Sequence, residues 1–246
     1  MLLAPTRYQV SLARGPSEVE AAQRLRHEVF VRELGAPDPD PVGRIESDRF
    51  DPFCRHLLLR AGDEVVGTYR LLDEAGAARA GGFYTEDEYD LAPLRRTGRP
   101  LMELGRSCVR ADHRGGAALG AMWGALAAHV AAEGQQILFG VASFHGTRTA
   151  PLAMALSHLA HAHLAPAELR PRSRVHAPMD IVPPDRIDRV AAMRAVPPLM
   201  KSYLRLGGFV GDGAYVDEGF NTVDVCLVLD VARIPDRIRT QNGWPA

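Results

Sequence analysis

The chain has 246 residues, 46% of them hydrophobic and 24% charged, and a formal net charge of −1. This composition is typical of a soluble globular protein with one large domain or a core plus an elaboration. The near-neutral charge gives no basis for nucleic-acid binding, and three widely spaced cysteines without a CxxC pair argue against disulfides or structural zinc. The N-terminus lacks the charged start and apolar core of a signal peptide, so we expect a cytosolic chain.

The first predicted element is an amphipathic helix over residues 18–34, because its apolar residues recur on one helical face. The prolines of "GAPDPDPVG" end this helix, since proline cannot continue the backbone hydrogen bonding. The segments "RHLLLRA" and "EVVGTYRLL" then read as two strands of a hairpin that turns at Gly62 and Asp63.

The next predicted strand, "LMELGRSCV" at residues 101–109, carries Glu103 and Arg106 in an otherwise buried pattern. Unpaired buried charges are costly, so the two must be paired, hydrated or functional. Side chains alternate along a strand, which places residues three apart on opposite faces; a bulge at Gly105 would bring both to one face. A purely structural ion pair between them is the alternative.

A small and apolar run follows over residues 117–132 and predicts the main helix. Its sixteen residues fall short of the roughly 20 that span a bilayer. Gly116, Gly120 and Gly124 recur every four residues, from which we expect close packing of this helix on a sheet. The segment "QILFGVASF" behind it predicts a buried strand.

The second half predicts a helix at residues 151–163, an irregular basic loop at 168–186, and short helices near 186–195 and 198–206. The segments "AYV" and "TVDVCLVLD" close the chain as a second hairpin. This order of elements implies an α/β (α+β) fold with a mixed sheet covered by helices.

That order resembles the GNAT-type N-acyltransferase fold, and the first half resembles the acyl-homoserine-lactone synthases. Those enzymes join a fatty acyl group from acyl carrier protein to an amino-acid-like amine. Residues that carry the resemblance are Arg26, Phe30, Asp48, Asp51, Arg70, Glu103 and Arg106. Ala36 stands where those synthases usually have tryptophan, which argues against S-adenosylmethionine as a substrate.

The second half resembles a narrower group, the L-ornithine Nα-acyltransferases of bacterial ornithine-lipid synthesis. The blocks that carry this resemblance are "GGFYTEDEYDL", "ELGRSCV", "LFGVASFHGT" and "PPLMKSYLRLGGFVGDGAYVDEGFNTVDV". It implies one GNAT-like domain over residues 1–246, with a mostly antiparallel, twisted sheet split near the Glu103 strand. Helices would flank this sheet, and a helical insertion at about residues 145–196 would precede the C-terminal hairpin.

The implied reaction moves a (3-hydroxy)fatty acyl group from acyl carrier protein to the α-amino group of L-ornithine, giving lyso-ornithine lipid. Glu103 and Arg106 would be catalytic, with Glu103 as base, directly or through water, or as anchor of the ammonium. A carboxylate close to Arg106 would have a lowered pKa. Backbone N–H groups at the bulge near Gly105 would hold the oxyanion.

Ornithine carries a carboxylate and two ammonium groups, so its pocket needs charges of both signs. The resemblance implies contacts from Arg26, Phe30, Asp48, Asp51, Arg70, Lys201, Asn221 and Asp224. Arg70 or Arg106 would pair with the carboxylate as a planar fork. Candidates for the side-chain ammonium are Asp48, Asp51 and Asp224, each of which also reads as a turn or surface residue.

The turn "VRADHRGGA" corresponds to the turn that binds the donor's phosphopantetheine in GNAT enzymes, through N–H groups at a helix N-terminus. Val109, Arg114, Gly115 and Gly116 are the implied donor-binding residues. No cofactor is expected beyond the acyl carrier protein thioester.

Two further chemistries are not expected. His158, His161 and His163 suggest a metal, but no carboxylate or cysteine lies beside them in the sequence. Cys108 has no adjacent histidine to support an acyl-enzyme, which direct transfer does not require.

The basic loop with Arg170, Arg172, Arg174 and His176 could hold acyl carrier protein or anionic lipid headgroups, or simply be solvated. Peripheral contact with the cytoplasmic face of the inner membrane is compatible with this pattern. Two alternative functions stay open. One is the same chemistry on another amine, as in long-chain N-acyl amino-acid or acyl-homoserine-lactone synthases, and the other is a non-catalytic, haemolysin-like lipid-binding protein.

Overall fold

The computed structural model describes residues 8–38 and 40–244. Its strands are β1 (Gln9–Leu12), β2 (Arg55–Ala61), β3 (Glu64–Asp73), β4 (Tyr89–Asp90), β5 (Leu101–Val109), β6 (Ile137–His145), β7 (Arg172–Ser173), β8 (Phe209–Val210), β9 (Tyr215–Asp217) and β10 (Thr222–Asp230). Its α-helices are α1 (Pro16–Arg26), α2 (Glu74–Ala80), α3 (Ala92–Arg96), α4 (Gly116–Glu133), α5 (Ala153–His163), α6 (Arg189–Ala195), α7 (Pro198–Arg205) and α8 (Asp236–Asn242).

One large sheet organises the fold, with strand order β1-β2-β3-β5-β6-β10-β8 and β9 paired to β10. All of these pairings are antiparallel except β5 with β6, which run parallel. A separate two-stranded sheet joins β4 to β7. The predicted mixed and mostly antiparallel sheet is therefore confirmed.

The sheet splits between β5 and β6. Their parallel pairing covers only Leu101–Glu103 against Ile137–Phe139, although both strands continue for six further residues. At the apex of the split the backbones lie so close that a Cβ on Gly140 would be 2.1 Å from the Leu104 carbonyl oxygen. The predicted split near the Glu103 strand is confirmed, and the edge of β5 that faces β6 is unpaired beyond Glu103.

A bulge interrupts the pairing of β5 with β3 on its other edge. Between two paired positions, β3 contributes Tyr69 alone, whereas β5 contributes both Arg106 and Ser107. Arg106 has a φ of +50°, a conformation that few residues other than glycine adopt. The predicted bulge is confirmed one residue after Gly105, and it brings Arg106 to the face of the sheet that carries Glu103.

The first predicted helix extends as far as expected but changes type. The regular α1 ends at Arg26, and a π-helix continues the element over His27–Glu33. Such wide turns occur frequently at functional sites. The amide N–H of Ala36 donates to the Phe30 carbonyl at 2.9 Å, which fixes the exit of the chain from this helix.

The glycines of α4 do not pack on the sheet, so that prediction is wrong. The side of α4 that meets the sheet carries larger buried residues, among them Met122, Leu126 and Val130. A Cβ added to Gly116, Gly120 or Gly124 would meet no atom of a neighbouring element within 4 Å. These three glycines therefore lie on the side of the helix that faces away from the sheet. No helix in the described part of the chain is long and apolar enough to cross a membrane.

Gly120→Ala is therefore expected to raise the free energy of unfolding by about 1 kcal/mol, the difference in helix propensity between the two residues. Gly140→Ala should lower it, because its new methyl group would overlap the Leu104 carbonyl. Urea unfolding followed by circular dichroism measures both. A destabilised Gly120→Ala variant would contradict the outward position of this residue.

Candidate active site

A cavity of about 550 Å³ occupies the split between β5 and β6. This volume lies within the range of about 300–1,000 Å³ usual for small-molecule sites. Most of its wall is apolar and comes from the π-helix, the two split strands and α7, through Phe30, Leu34, Ala36, Val141, Ala142, Pro198 and Leu199. Polar groups gather on the remaining wall, including Glu103, Arg106, Asp217 and Asp224. The cavity thus offers an apolar chain a path that ends beside charged groups.

A buried ionic network lies beside this cavity. Three arginines alternate with three carboxylates, and its members are Arg26, Arg70, Arg106, Glu46, Asp48 and Asp51. Five of these six were predicted from the sequence as site residues, and the structure brings them together. Glu46 was not singled out, although it lies only two residues before Asp48.

Arg26 and Arg70 hold the inner half of the network. Arg26 is fully buried and donates to both Asp51 oxygens, at 3.0 Å and 2.5 Å. Arg70 donates from one nitrogen to Asp48 at 2.6 Å and to Asp51 at 2.9 Å. Although burial opposes ionisation of Asp51, Arg26 and Arg70 outweigh it and hold its pKa well below the ordinary value. Asp48 and Asp51 are thus committed to arginines and are not available as free partners for an ammonium group.

Arg106 forms the outer half of the network. Among the described residues, it is the arginine that lines the cavity. It donates to Glu46 at 3.1 Å and to Asp48 at 3.0 Å. Its guanidinium also lies over the rings of Tyr84 and Phe220, 4.6 Å and 4.8 Å from their centroids. These contacts fix the plane of the guanidinium at the cavity wall.

Glu103 does not pair with Arg106, so the alternative of a structural ion pair between these two residues is wrong. One oxygen of Glu103 accepts the Tyr84 N–H at 2.8 Å, and the other accepts the Thr85 N–H at 2.7 Å and the Thr85 hydroxyl at 2.5 Å. Burial raises the pKa of Glu103, and the bonds from Thr85 only partly oppose this rise. The expected lowering by Arg106 is wrong because Glu46 and Asp48 already engage that arginine. A carboxylate has about four lone-pair positions, so about one remains for a substrate.

Asn221 lies next to the cavity and Lys201 lies away from it. Asn221 occupies the turn between β9 and β10 with a φ of +55°, between the cavity-lining residues Phe220 and Thr222. Lys201 lines a separate depression and donates to the Arg194 carbonyl at 3.3 Å. It lies outside this cavity because α7 turns Leu199 towards the cavity, and residues two apart on a helix point in nearly opposite directions. Its contact with the acceptor stays a prediction.

The predicted donor turn has the expected backbone but not a free arginine. Gly115 has a φ of +149° and precedes α4, whose N-terminal N–H groups begin at Gly116. Arg114 is fastened to the fold, since it donates to the Val109 carbonyl at 2.9 Å and pairs with Glu33 at 2.5 Å. Phosphopantetheine binding at this turn stays a prediction.

Neither Cys108 nor the basic loop adds a group to the cavity. Cys108 packs beneath α1 against Leu25 and Val29, and burial raises the pKa of its thiol to about 12. A thiol of this kind is a poor nucleophile at neutral pH. In the basic loop, Arg174 donates to the Glu86 carbonyl, and His176 contacts Asp212.

Comparisons with known proteins agree with this geometry. A model of the acetyltransferase (GNAT) domain matches residues 25–124. The L-ornithine N(alpha)-acyltransferase of Rhodobacter capsulatus is 52% identical over 248 residues, covering 97% of this chain and 96% of that protein. The L-ornithine N(alpha)-acyltransferase of Brucella abortus is 39% identical over 251 residues, covering 97% and 89%.

Two solved structures share the fold at low sequence identity. FeeM, an N-acyl amino acid synthase from uncultured soil microbes, superposes with a TM-score of 0.58 at 12% identity, covering 96% of this chain and 98% of FeeM. The AHL synthase LasI gives a TM-score of 0.51 at 16% identity, covering 92% of this chain and 90% of LasI. The predicted GNAT-type acyltransferase fold is confirmed.

Proposed function

The chain belongs to the L-ornithine Nα-acyltransferases, and on that premise we propose that it takes its acyl group from acyl carrier protein. It is an acyltransferase that acts on the α-amino group of ornithine, so it requires an amino-acid acceptor and an acyl donor. The observation that carries the proposal is similarity to such enzymes over 97% of the chain. The cavity in the split, apolar along most of its wall and charged on the rest, supports it.

Direct attack of the amine on the thioester is the simplest mechanism for this site. An α-ammonium has an ordinary pKa near 8, so a carboxylate of raised pKa is sufficient to take its proton. We assign that role to Glu103, which lines the cavity and keeps about one lone-pair position free. The leaving thiol has an ordinary pKa of about 8.5 and can depart as a thiolate without a strong acid.

The unpaired edge of β5 supplies the environment for the oxyanion. Antiparallel bonds to β3 occupy its other edge, whereas the edge towards β6 has no strand partner beyond Glu103. A thioester carbonyl inserted there can accept backbone N–H bonds as its oxygen becomes negative. The acyl chain would then follow the apolar wall, and the carboxylate of ornithine would meet Arg106.

Purified protein incubated with a 3-hydroxyacyl-acyl carrier protein and L-ornithine should yield an amide-linked acylornithine, detectable by mass spectrometry. The same acyl group on coenzyme A should react more slowly, because it lacks the carrier protein's surface. Lysine, glutamine, glycine and S-adenosylmethionine serve as competing acceptors. Absence of acylornithine from an active preparation, or preference for another amine, would contradict the proposal.

A further inference from the structure

Three carboxylates that form no ion pair with the described residues gather at the charged part of the cavity. Asp217 and Asp224 line the cavity, and Glu88 lies beside them, just before β4. Oxygen atoms from all three lie within 4.8 Å of one another. We call Glu88, Asp217 and Asp224 the acidic triad. Of the three, only Asp224 was predicted from the sequence. Glu88 was missed because it is one of several acidic residues in "TEDEYDL", and Asp217 was missed because its sequence context is typical of a turn.

The triad is buried without the partners that buried carboxylates normally have. Glu88 and Asp224 are each 3% exposed. Among the described residues, no group forms a hydrogen bond of good geometry with either oxygen of Glu88 or with one oxygen of Asp224. The side chain of Tyr84 lies close enough to Glu88, and those of Ser143 and Thr222 close enough to Asp224, to oppose part of the rise in the two pKa values. Asp217 uses one oxygen to accept the Phe220 N–H at 3.0 Å. An unpartnered buried carboxylate is costly, so this arrangement points to a cation that completes it.

Neighbouring arginines do not neutralise the triad. In the described ranges no lysine, arginine or histidine forms an ion pair with any of its three members. Arg106, which also lines the cavity, donates instead to Glu46 and Asp48. Burial and mutual repulsion consequently raise the pKa of Glu88 to about 9 and that of Asp224 to about 6. The triad therefore lacks a counter-charge of its own, and a cation that bound there would favour the ionised form of Glu88 and Asp224.

We propose that the acidic triad binds the side-chain ammonium of ornithine and makes the enzyme select a diamino acid. This inference rests on the proposed function. The α-amine must lose its charge to attack, whereas the side-chain amine, with an ordinary pKa near that of lysine at about 10.4, keeps its charge and needs counter-charges.

The order of groups in the cavity fits the three charges of ornithine. Glu103 accepts the N–H of Tyr84, and the ring of Tyr84 lies under Arg106. Arg106 in turn lies over the ring of Phe220, whose N–H donates to Asp217 of the triad at 3.0 Å. Glu103 thereby corresponds to the α-amine of ornithine, Arg106 to its carboxylate, and the acidic triad to its side-chain ammonium.

L-Norvaline is the matched probe, because it has the carbon skeleton of ornithine without the side-chain amine. Wild-type protein should acylate ornithine with a kcat/KM at least about a thousandfold above that for norvaline, since norvaline leaves the triad unpaired. Asp217→Asn and Glu88→Gln should each lower this ratio at least tenfold. Glu218→Gln is the control, because Glu218 is exposed in the same turn as Asp217 and lies outside the cavity wall.

Folding of the variants is checked separately by thermal unfolding. Without a bound cation Glu88 holds its proton at pH 7, so Glu88→Gln replaces one neutral side chain with another and its Tm should not fall. Only with ornithine bound would Glu88 ionise, which glutamine cannot do. Asp217→Asn changes a half-buried side chain. It provides a second test of the ratio of kcat/KM for ornithine to that for norvaline.

An unchanged ratio of ornithine to norvaline in both folded variants would overturn the inference while leaving ornithine acylation intact. Loss of wild-type activity in EDTA, with recovery on adding Mg²⁺ or Ca²⁺, would also overturn it, since the triad would then be a metal site. Failure of the wild-type protein to prefer ornithine would instead contradict the proposed function itself.

Discussion

Glu103→Gln is expected to lower kcat by about a hundredfold or more, the scale typical of losing a general base. Glutamine preserves the size of the side chain but cannot accept a proton from the attacking amine. Glu103 lines the cavity, and burial raises the pKa of its carboxyl group. Single-turnover measurements with preloaded acyl carrier protein would separate this chemical step from donor binding.

Glu103 also anchors the turn at Tyr84 and Thr85, so a control must separate anchoring from proton transfer. Thr85→Val removes one hydroxyl bond to Glu103 and leaves the carboxyl group in place. That bond lowers the pKa of Glu103; its loss should raise the pKa and move the acidic limb of the kcat/KM profile to higher pH. Near-normal turnover of Glu103→Gln would instead assign Glu103 to fastening the turn.

Arg26→Met is expected to lower the free energy of unfolding by about 3–5 kcal/mol, the usual cost of breaking a buried ion pair from one side. Arg26 is fully buried and donates to both oxygens of Asp51, which would keep only Arg70 and Gln23 as partners. Urea unfolding at pH 7 measures the loss. A change below about 1 kcal/mol would contradict a structural role for the network.

Arg49→Met is the matched control for this substitution. Arg49 pairs with Asp87 at 3.1 Å, but both side chains are exposed, so the loss should stay within about 1 kcal/mol. The pH dependence gives a second check. Because arginines hold the pKa of Asp51 well below its unfolded value, their stabilisation is present above that value and declines as pH falls. The deficit of Arg26→Met should therefore stay nearly constant between pH 7 and about pH 5 and shrink as pH falls below about 4, the ordinary pKa of an aspartate.

Elements with strong local patterns could be predicted from the sequence. The hairpin of β2 and β3 follows two short runs of apolar residues on either side of a glycine turn, and β5 was predicted with its observed bounds. The short elements β1, β8, α2, α3 and α8 were not predicted. Segments of two to seven residues carry too little periodicity, and their structure depends on neighbours distant in the chain.

The site shows the same division between local and long-range information. The bulge after Gly105 could be inferred because glycine within a strand is a local signal. The partners of Glu103 could not be inferred. Tyr84 and Thr85 lie eighteen or more residues from it in the chain and bind it through backbone N–H groups, which almost every residue type has. Lys201 shows a different limit, since a long motif marks similarity without telling which face of α7 meets the cavity.

The most direct test of the central claim is a crystal structure with N-acylornithine bound. The amide should lie in the split between β5 and β6, with its nitrogen near Glu103, its carboxylate at Arg106 and its alkyl chain along the apolar wall. A product bound outside the split, with Glu103 and Arg106 out of contact with it, would contradict the account.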